Sequence, residues 1–458
     1  MANKKIFFLV FSLLFFKVLA LYYTNFNLFG DEAQYWLWSK NLDFGYFSKP
    51  PLLAWFIGVY GIFFGDSFLL LKLFPSTIYI LVSCSIYILC NNLGLNKSGS
   101  LSCALLFLFI PAVSFSSFFI STDIILLLFW TLSLNELVKI EKSQKINNFV
   151  LFGIFLGLAF LAKYAAVYFL ICLLVYFLFD RGFRKKFKNN LFGFFVSTIC
   201  VFVIVLPNML WNFNNNWVTF QHTADNASFD NLNVSILRGV EFISIQILMI
   251  GPFLFLGYLF SLKQNNFNKN KNLLLLFSIP IIVIVSIEAI IVRANANWAA
   301  PGLVTLFIFL FMQNKNIILM RINLFFNFIF CAIFFILIGS TYDSSVFNRI
   351  YGLNSFAEKI YYEGEENNIV NFVISDRLLF ANISYELRDK DLGFYMPHSA
   401  NDKITNHFQI SSPLKKNMNK DFILVGYPDE IKYLENEYIM KRKTTPVYLF
   451  TKNQLPIY

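Results

Sequence analysis

Apolar runs of about twenty residues recur along most of this chain, and a run of that length is long enough to cross a bilayer as a helix. Such runs fall near 6–24, 67–90, 100–119, 122–138, 148–162, 164–180, 190–210, 239–262, 273–292, 299–313 and 316–340. The expected fold class is therefore a polytopic α-helical membrane protein of about 11 transmembrane helices. Composition agrees. Of the 458 residues 57% are hydrophobic and only 14% charged, with a mean hydropathy of +0.60, where a soluble domain carries about a quarter charged residues. The N-terminus, Met-Ala-Asn-Lys-Lys before an apolar run, has no convincing small-residue cleavage site and reads as an uncleaved first span.

The net charge of +10 does not point to nucleic acid, because the cations sit mostly in short loops between apolar runs, where they set orientation. One set of loops is basic: Lys4-Lys5, Lys97, Lys139 to Lys145, the run Arg181 to Lys188, Lys263 to Lys271, and Lys315 with Arg321. The positive-inside rule puts this set in the cytoplasm. The alternate set then faces out: residues 25–66, the turn at Ser121-Thr122-Asp123, the turn at Lys163, residues 211–238, and Arg293 to Pro301. The expected location is a cell (inner or plasma) membrane. The six cysteines lie in or beside apolar runs without metal-type spacing, so neither a disulfide framework nor a zinc site is expected.

Residues 1–340 form the expected transmembrane domain, and 341–458 change character. That tail is polar, with short apolar segments between turn signals. Ile369 to Ile374, Phe422 to Gly426 and Val447 to Thr451 read as strands and Arg377 to Leu387 as a helix, giving a small extracytoplasmic α/β domain of three or four strands.

The stretch from Gly30 to Trp55 is the first to gather acids, bases and aromatics. It reads as an amphipathic helix on the membrane surface. Asp31 would cap it, Gln34 would complete a capping box, and Tyr35, Trp38 and Leu42 would sit at headgroup level. Gly45 and Pro50-Pro51 would end the helix and turn the chain.

The predicted topology collects Asp31, Glu32, Lys49, Asp123, Lys163, Tyr164, Gln221, His222, Arg293, Asn297 and Trp298 at one face. Ionisable groups at membrane depth are costly and usually face a cavity or a partner. Each also has a plainer role: Asp31 and Asp123 as helix caps, Lys49 and Lys163 reaching to headgroups, His222 in solvent, Arg293 on lipid phosphate, Trp36, Trp38 and Trp298 in an interface belt. Together they could hold a sugar phosphate, bind a divalent metal or line a transporter.

The string Asp-Glu-Ala-Gln-Tyr-Trp, followed by Gly-Tyr-Phe-Ser-Lys-Pro-Pro-Leu-Leu-Ala-Trp, resembles the first outer loop of the GT-C glycosyltransferases. The branch is the one holding protein O-mannosyltransferases and lipid A aminoarabinose transferases. Ser-Thr-Asp-Ile-Ile-Leu-Leu-Leu-Phe-Trp, Gly-Leu-Ala-Phe-Leu-Ala-Lys-Tyr, Ala-Asn-Trp-Ala-Ala-Pro and the segment from Ser384 to Pro397 resemble later parts of that branch, in the right order. The resemblance implies a glycosyltransferase that moves a sugar from a polyprenyl-phosphate donor to a lipid A, glycan or protein acceptor on the outer face. It implies catalytic roles for Asp31 and Asp123, and donor phosphate binding by Lys49; charge growing on a leaving phosphate makes the cations Arg293 and Lys163 further candidates for that role. It makes Glu32, Tyr35, Tyr46, Tyr164, His222, Asn297 and Trp298 candidates for substrate contact. The implied partners are membrane lipids, the polyprenyl-linked donor and the acceptor, with no nucleic acid.

The aminoarabinose branch carries a metal-holding glutamate just before the lysine. Ser48 stands there in this chain, which counts against that metal and that sugar. A divalent ion stays open, with His222 matching a metal-linked histidine, and no other cofactor is implied. The rival class is a transporter or flippase for a lipid-linked sugar, which predicts internal repeats and charges at mid-membrane depth. Neither is evident in the sequence.

Overall fold

The first apolar run folds as α1 (Ala2–Tyr23), followed by α2 (Gly30–Lys40), α3 (Leu52–Phe64), α4 (Phe68–Asn92), α5 (Lys97–Phe107), α6 (Pro111–Ser116), α7 (Thr122–Ser143) and α8 (Ile146–Ala162). After a 3₁₀ turn at Tyr164–Ala166 come α9 (Val167–Phe179), α10 (Arg181–Asn189), α11 (Leu191–Asn214), α12 (Val218–Asn226), α13 (Ile236–Ile250), α14 (Pro252–Ser261), α15 (Lys269–Leu276) and α16 (Ile279–Ile291). A second 3₁₀ turn, Ala296–Ala299, leads into α17 (Ala300–Gln313) and α18 (Ile317–Gly339). This computed structural model describes residues 2–226, 234–262, 269–340, 350–398, 403–414, 421–426, 447–449 and 453–455.

The protein is a multi-pass membrane protein, with fewer clean spans than the sequence pattern implies. Among the described residues six helices are long and apolar enough to cross a membrane, or up to eight if two bent pairs each count as one span. The expected span 100–119 divides into α5 and α6, because Ile110 is extended and Pro111 opens a new helix. The expected span 239–262 bends by 88° between α13 and α14. The bend falls at Gly251, whose φ of 109° disfavours any side chain. The stretch 122–138 belongs to α7, which is buried along most of its length against α4 and α8. Residues 25–66 are more than a loop, since Leu52–Phe64 forms an apolar helix of 13 residues just after Pro50-Pro51.

The C-terminal segment carries α19 (Leu353–Asn367), β1 (Asn371–Ile374), α20 (Arg377–Glu386), β2 (Gly393–Tyr395), α21 (Phe408–Ser411) and β3 (Ile423–Val425). Its sheet has the order β2-β1-β3, all parallel, with Phe372 opposite both Phe394 and Ile423. The strands β4 (Val447–Leu449) and β5 (Asn453–Leu455) pair antiparallel. Three of the expected strands and the expected helix thus have counterparts; Thr451 lies outside the described residues.

Two seams tie this segment to the start of α2. Asn27 accepts the Leu353 N–H at 3.0 Å and donates to Glu386 Oε1 at 2.9 Å, and Phe26 bridges Tyr351. Along α2 itself, Trp36 meets Tyr385 edge to face at 5.0 Å, and the Tyr385 hydroxyl donates to the Asp66 carbonyl at 3.0 Å. Trp36 and Trp38 are buried. The α2 helix therefore does not lie open on a membrane surface; it is packed between the bundle and α20, and Tyr35 and Trp38 are core residues rather than headgroup anchors. Burial of one large apolar side chain is worth about 1.5–3 kcal/mol, so this packing outweighs any interfacial gain.

Candidate active site

The residue that begins α2 is not Asp31. Phe29 is the N-cap, and the carboxylate reaching back to its N–H, at 2.8 Å, is that of Glu32. Glu32 also accepts the Ile120 N–H at 2.8 Å and pairs with Lys72 of α4 at 2.5 Å. Both partners are only 1% exposed. A carboxylate with every contact inside the protein is a structural joint, so Glu32 has no surface left for substrate. Lys17 of α1 lies in the same interior and donates to Ser76 and Ser117.

Freed from capping, Asp31 points toward α20. Its Oδ1 lies 3.2 Å from Arg377 Nη1, and the same nitrogen donates to Gln34 Oε1 at 2.8 Å. The local sequence accounts for Arg377. Asp376 caps α20 by accepting the N–H groups of Leu378 and Leu379, which places Arg377 on the first turn, next to α2. The sequence predicts a helix from Arg377 to Leu387 but gives no sign that Arg377 meets Asp31.

Asp123 stands in the first turn of α7, where the helix dipole favours a negative charge. Its Oδ1 accepts from Lys163 at 2.6 Å and its Oδ2 from Asn297 at 2.8 Å. Three separate parts of the chain thus meet on one carboxylate.

Lys49 is held from both sides. The loop before it is stitched down by Trp211 donating to Asp43 Oδ2 at 2.6 Å, by Asn208 donating to the Phe44 carbonyl at 2.7 Å, and by Thr219 donating to the Tyr46 carbonyl at 2.8 Å. The Lys49 carbonyl then accepts the Tyr46 N–H at 3.1 Å. Its ammonium, half-buried, has no hydrogen bond or ion pair among the described residues. Burial and the charge of Lys163 push its pKa down, Asp123 and Asp31 act against that, and Arg377 adds to it. These groups therefore lie within electrostatic reach of one another. His222 of α12 joins them: burial, Lys49 and Arg377 lower its pKa, opposed by Asp225 and Asp31, and its ring lies 5.2 Å from that of Phe47.

The other candidates divide. Tyr35 is coupled to Asp31 and Asp123, and burial drives its pKa up. Tyr46 is fully buried, its hydroxyl donating to the Trp38 carbonyl at 3.1 Å and its ring stacked on Trp38 at 4.4 Å, so it braces the loop. Tyr164 donates to Asn208 Oδ1 at 2.7 Å, supporting the residue that holds Phe44. Trp298 is half-buried against the core. Arg293 is exposed, and no contact among the described residues ties it to the cluster.

Among the described residues no three His, Cys, Asp or Glu side chains stand close enough together to hold a metal ion. With Ser48 before Lys49, the described residues do not fit a divalent metal.

An apolar cavity of about 650 Å³ opens beside the cluster. It runs between α6, α13 and α18, lined by groups such as Phe107, Leu248, Met249 and Phe330, and reaches Asp123 and Asn297.

Comparison with known proteins points the same way. The family model described as dolichyl-phosphate-mannose-protein mannosyltransferase matches residues 48–211. The lipid A galacturonosyltransferase RgtD of Rhizobium johnstonii is 28% identical over 293 residues, a stretch covering 63% of this chain and 61% of that protein. The crystal structure of ArnT from Cupriavidus metallidurans in the apo state superposes with a TM-score of 0.67 at 13% identity, covering 100% of this chain and 98% of ArnT. The undecaprenyl phosphate-bound form gives 0.69 at 14%, with the same coverage. At such identity the likeness to ArnT is one of fold. It is the GT-C fold expected from the first loop, and the resemblance to the branch holding the O-mannosyltransferases and ArnT is borne out.

Proposed function

We propose that this chain is a glycosyltransferase that moves a sugar from a polyprenyl-phosphate donor to a lipid A, glycan or protein acceptor. The observation that carries the reading is that Lys49, an ammonium without a partner among the described residues, lies within electrostatic reach of two held carboxylates, Asp31 and Asp123, and that Asp123 lines an apolar cavity. A polyprenyl phosphate has the matching shape: an apolar chain with an anion at one end. The relatives support it: ArnT binds undecaprenyl phosphate, and RgtD is a lipid A galacturonosyltransferase.

The chemistry fits the residue types. An acceptor oxygen attacks the anomeric carbon, the bond from that carbon to the phosphate oxygen breaks, and polyprenyl phosphate leaves with the electron pair. Negative charge grows on the leaving phosphate, where Lys49 would stabilise it. A hydroxyl acceptor must lose a proton, and Asp31, held toward Arg377, is the base. Asp123, with both oxygens engaged by Lys163 and Asn297, keeps the geometry rather than moving protons. Lys163, committed to that pair, acts on the donor through the field of the cluster.

The transporter reading has less support. The buried charges of Lys17, Lys72 and Glu32 would be its natural pathway, yet Lys72 and Glu32 neutralise each other, and none of the three lines the apolar cavity.

Membranes containing the protein, given polyprenyl-phosphate sugars labelled in the sugar, test the proposal. Label should become covalently attached to an acceptor. Label that crosses the bilayer with its polyprenyl bond intact would instead establish a flippase.

A further inference from the structure

A second cavity lies where α2 meets the C-terminal segment. It measures about 310 Å³ and is walled by aromatic rings, among them Trp36, Trp38, Phe394 and Phe408. Arg388 and Lys390 also line it. Its polar atoms are unusual. The indole N–H groups of Trp36 and Trp38, the Ser384 hydroxyl and Nδ1 of His407 are all buried, and none has a hydrogen-bond partner among the described residues. Buried polar groups in folded proteins are nearly always bonded, and these four belong to residues that line one cavity.

The chemistry of the lining defines what would fit it. Flat aromatic faces beside fixed N–H donors suit a pyranose ring, which offers C–H faces and oxygen acceptors. Two cations add a preference for negative charge. Arg388 spends one nitrogen on the Tyr385 carbonyl at 2.7 Å and lies 4.3 Å over the Tyr385 ring, which fixes its plane. Lys390 lies over the Tyr361 ring at 4.5 Å. His407 is wedged against Trp38 and Tyr46, with centroids at 5.5 and 4.9 Å, so it is a rigid part of the wall.

We propose that this cavity is a saccharide subsite for an anionic sugar of the acceptor, a sugar phosphate or a uronic acid, held by Trp36, Trp38, Arg388 and Lys390. Trp38 stands seven residues after Asp31 on α2, about 10 Å along the helix. The ring bound there is therefore not the one whose oxygen attacks the donor. It is a neighbouring unit that sets which acceptor reaches the base. Only this placement in the reaction rests on the glycosyltransferase reading; binding itself does not.

The test is saturation-transfer NMR on the full chain in lipid nanodiscs, with aromatic protons irradiated. The probes are glucose 1-phosphate, glucuronic acid and glucose. The two anionic sugars should receive saturation and glucose far less, with a difference of about tenfold in affinity for a charge-assisted contact. Signal for only one anion identifies the acid. Replacing Arg388→Gln with Lys390→Gln should bring the anions down to the level of glucose. Glucose binding as well as the anions in the unmodified protein would overturn the proposal, whatever the variant does. So would anion signals unchanged in a double variant that melts like its parent. Failure of label transfer in membranes, with these signals intact, would remove the enzyme reading and leave the subsite.

Discussion

Asp31 and Arg377 meet at 3.2 Å across 346 residues of sequence. The pair joins the first helix after α1 to the C-terminal segment. Its side chains are 42% and 40% exposed, so the contact adds little stability, about 0–1 kcal/mol. What it supplies is orientation of a carboxylate.

Orientation can be separated from folding. Asp31→Asn should abolish sugar transfer while the protein accumulates in the membrane normally. Arg377→Gln should melt within about 1 kcal/mol of the parent and yet lose roughly ten- to a hundredfold in turnover. Initial rates and thermal unfolding in detergent, measured on the same preparations, check both. Normal turnover by Arg377→Gln would remove it from the site.

For Lys49 the charge should matter more than the shape. Lys49→Arg is expected to keep part of the activity. Lys49→Met should lose about ten- to a hundredfold, seen as weaker use of the donor, which is the size of one charge-assisted contact. Transfer rates over a range of donor concentrations decide it; a Met variant with the parent's rate and donor dependence makes Lys49 a membrane anchor only.

The Glu32–Lys72 pair should behave as a fold element. Removing one partner of a buried pair leaves an uncompensated charge and costs about 3–5 kcal/mol. Lys72→Met and Glu32→Gln should each lower thermal stability strongly, and the double variant should recover most of the loss. If the single variants melt normally but fail to transfer sugar, Glu32 acts on substrate after all.

His407 should make the protein acid-sensitive. Burial lowers its pKa to about 4, against about 6.5 in an unfolded chain. Between these values the unfolded chain binds the proton and the folded one does not. Stability therefore falls as pH drops from about 6.5 to about 4, by up to about 1.4 kcal/mol per pH unit. His407→Phe should flatten that slope relative to the parent. Equal slopes in thermal unfolding between the two would show that His407 titrates freely.

The loop alternation implies that residues 25–66 and those after 340 face away from the cytoplasm. Single cysteines placed there, in a cysteine-free background, should react with an impermeant reagent on intact cells. Labelling within 181–188 instead would reverse the orientation.

Much of the candidate site is legible because charge is scarce in this chain. Asp31, Lys49, Asp123 and Lys163 stand out against apolar surroundings, and the structure brings them within electrostatic reach of one another. Arg377 was not legible. It lies on a polar helix where one more arginine carries no signal, and only tertiary packing brings it to Asp31. Glu32 misled for the opposite reason: adjacency to Asp31 suggested a shared task, but successive helix positions point in different directions, and Lys72 sits inside an apolar run where it drew no notice. The burial of Tyr46 and Trp38 was hidden because aromatics near span ends fit an interface belt equally well until a covering segment is known.

Gly30 shows how tightly that covering segment is held. A Cβ at this position would sit 2.7 Å from the Cβ of Leu378, so the two backbones approach as closely as a missing side chain permits. The C-terminal segment is therefore not an interchangeable module. A chimera taking this stretch from a relative would need a small residue at 30, a compatible partner at 378 and a cation at 377 inherited together. Any lineage that changes this part of the chain must change both sides of the seam at once.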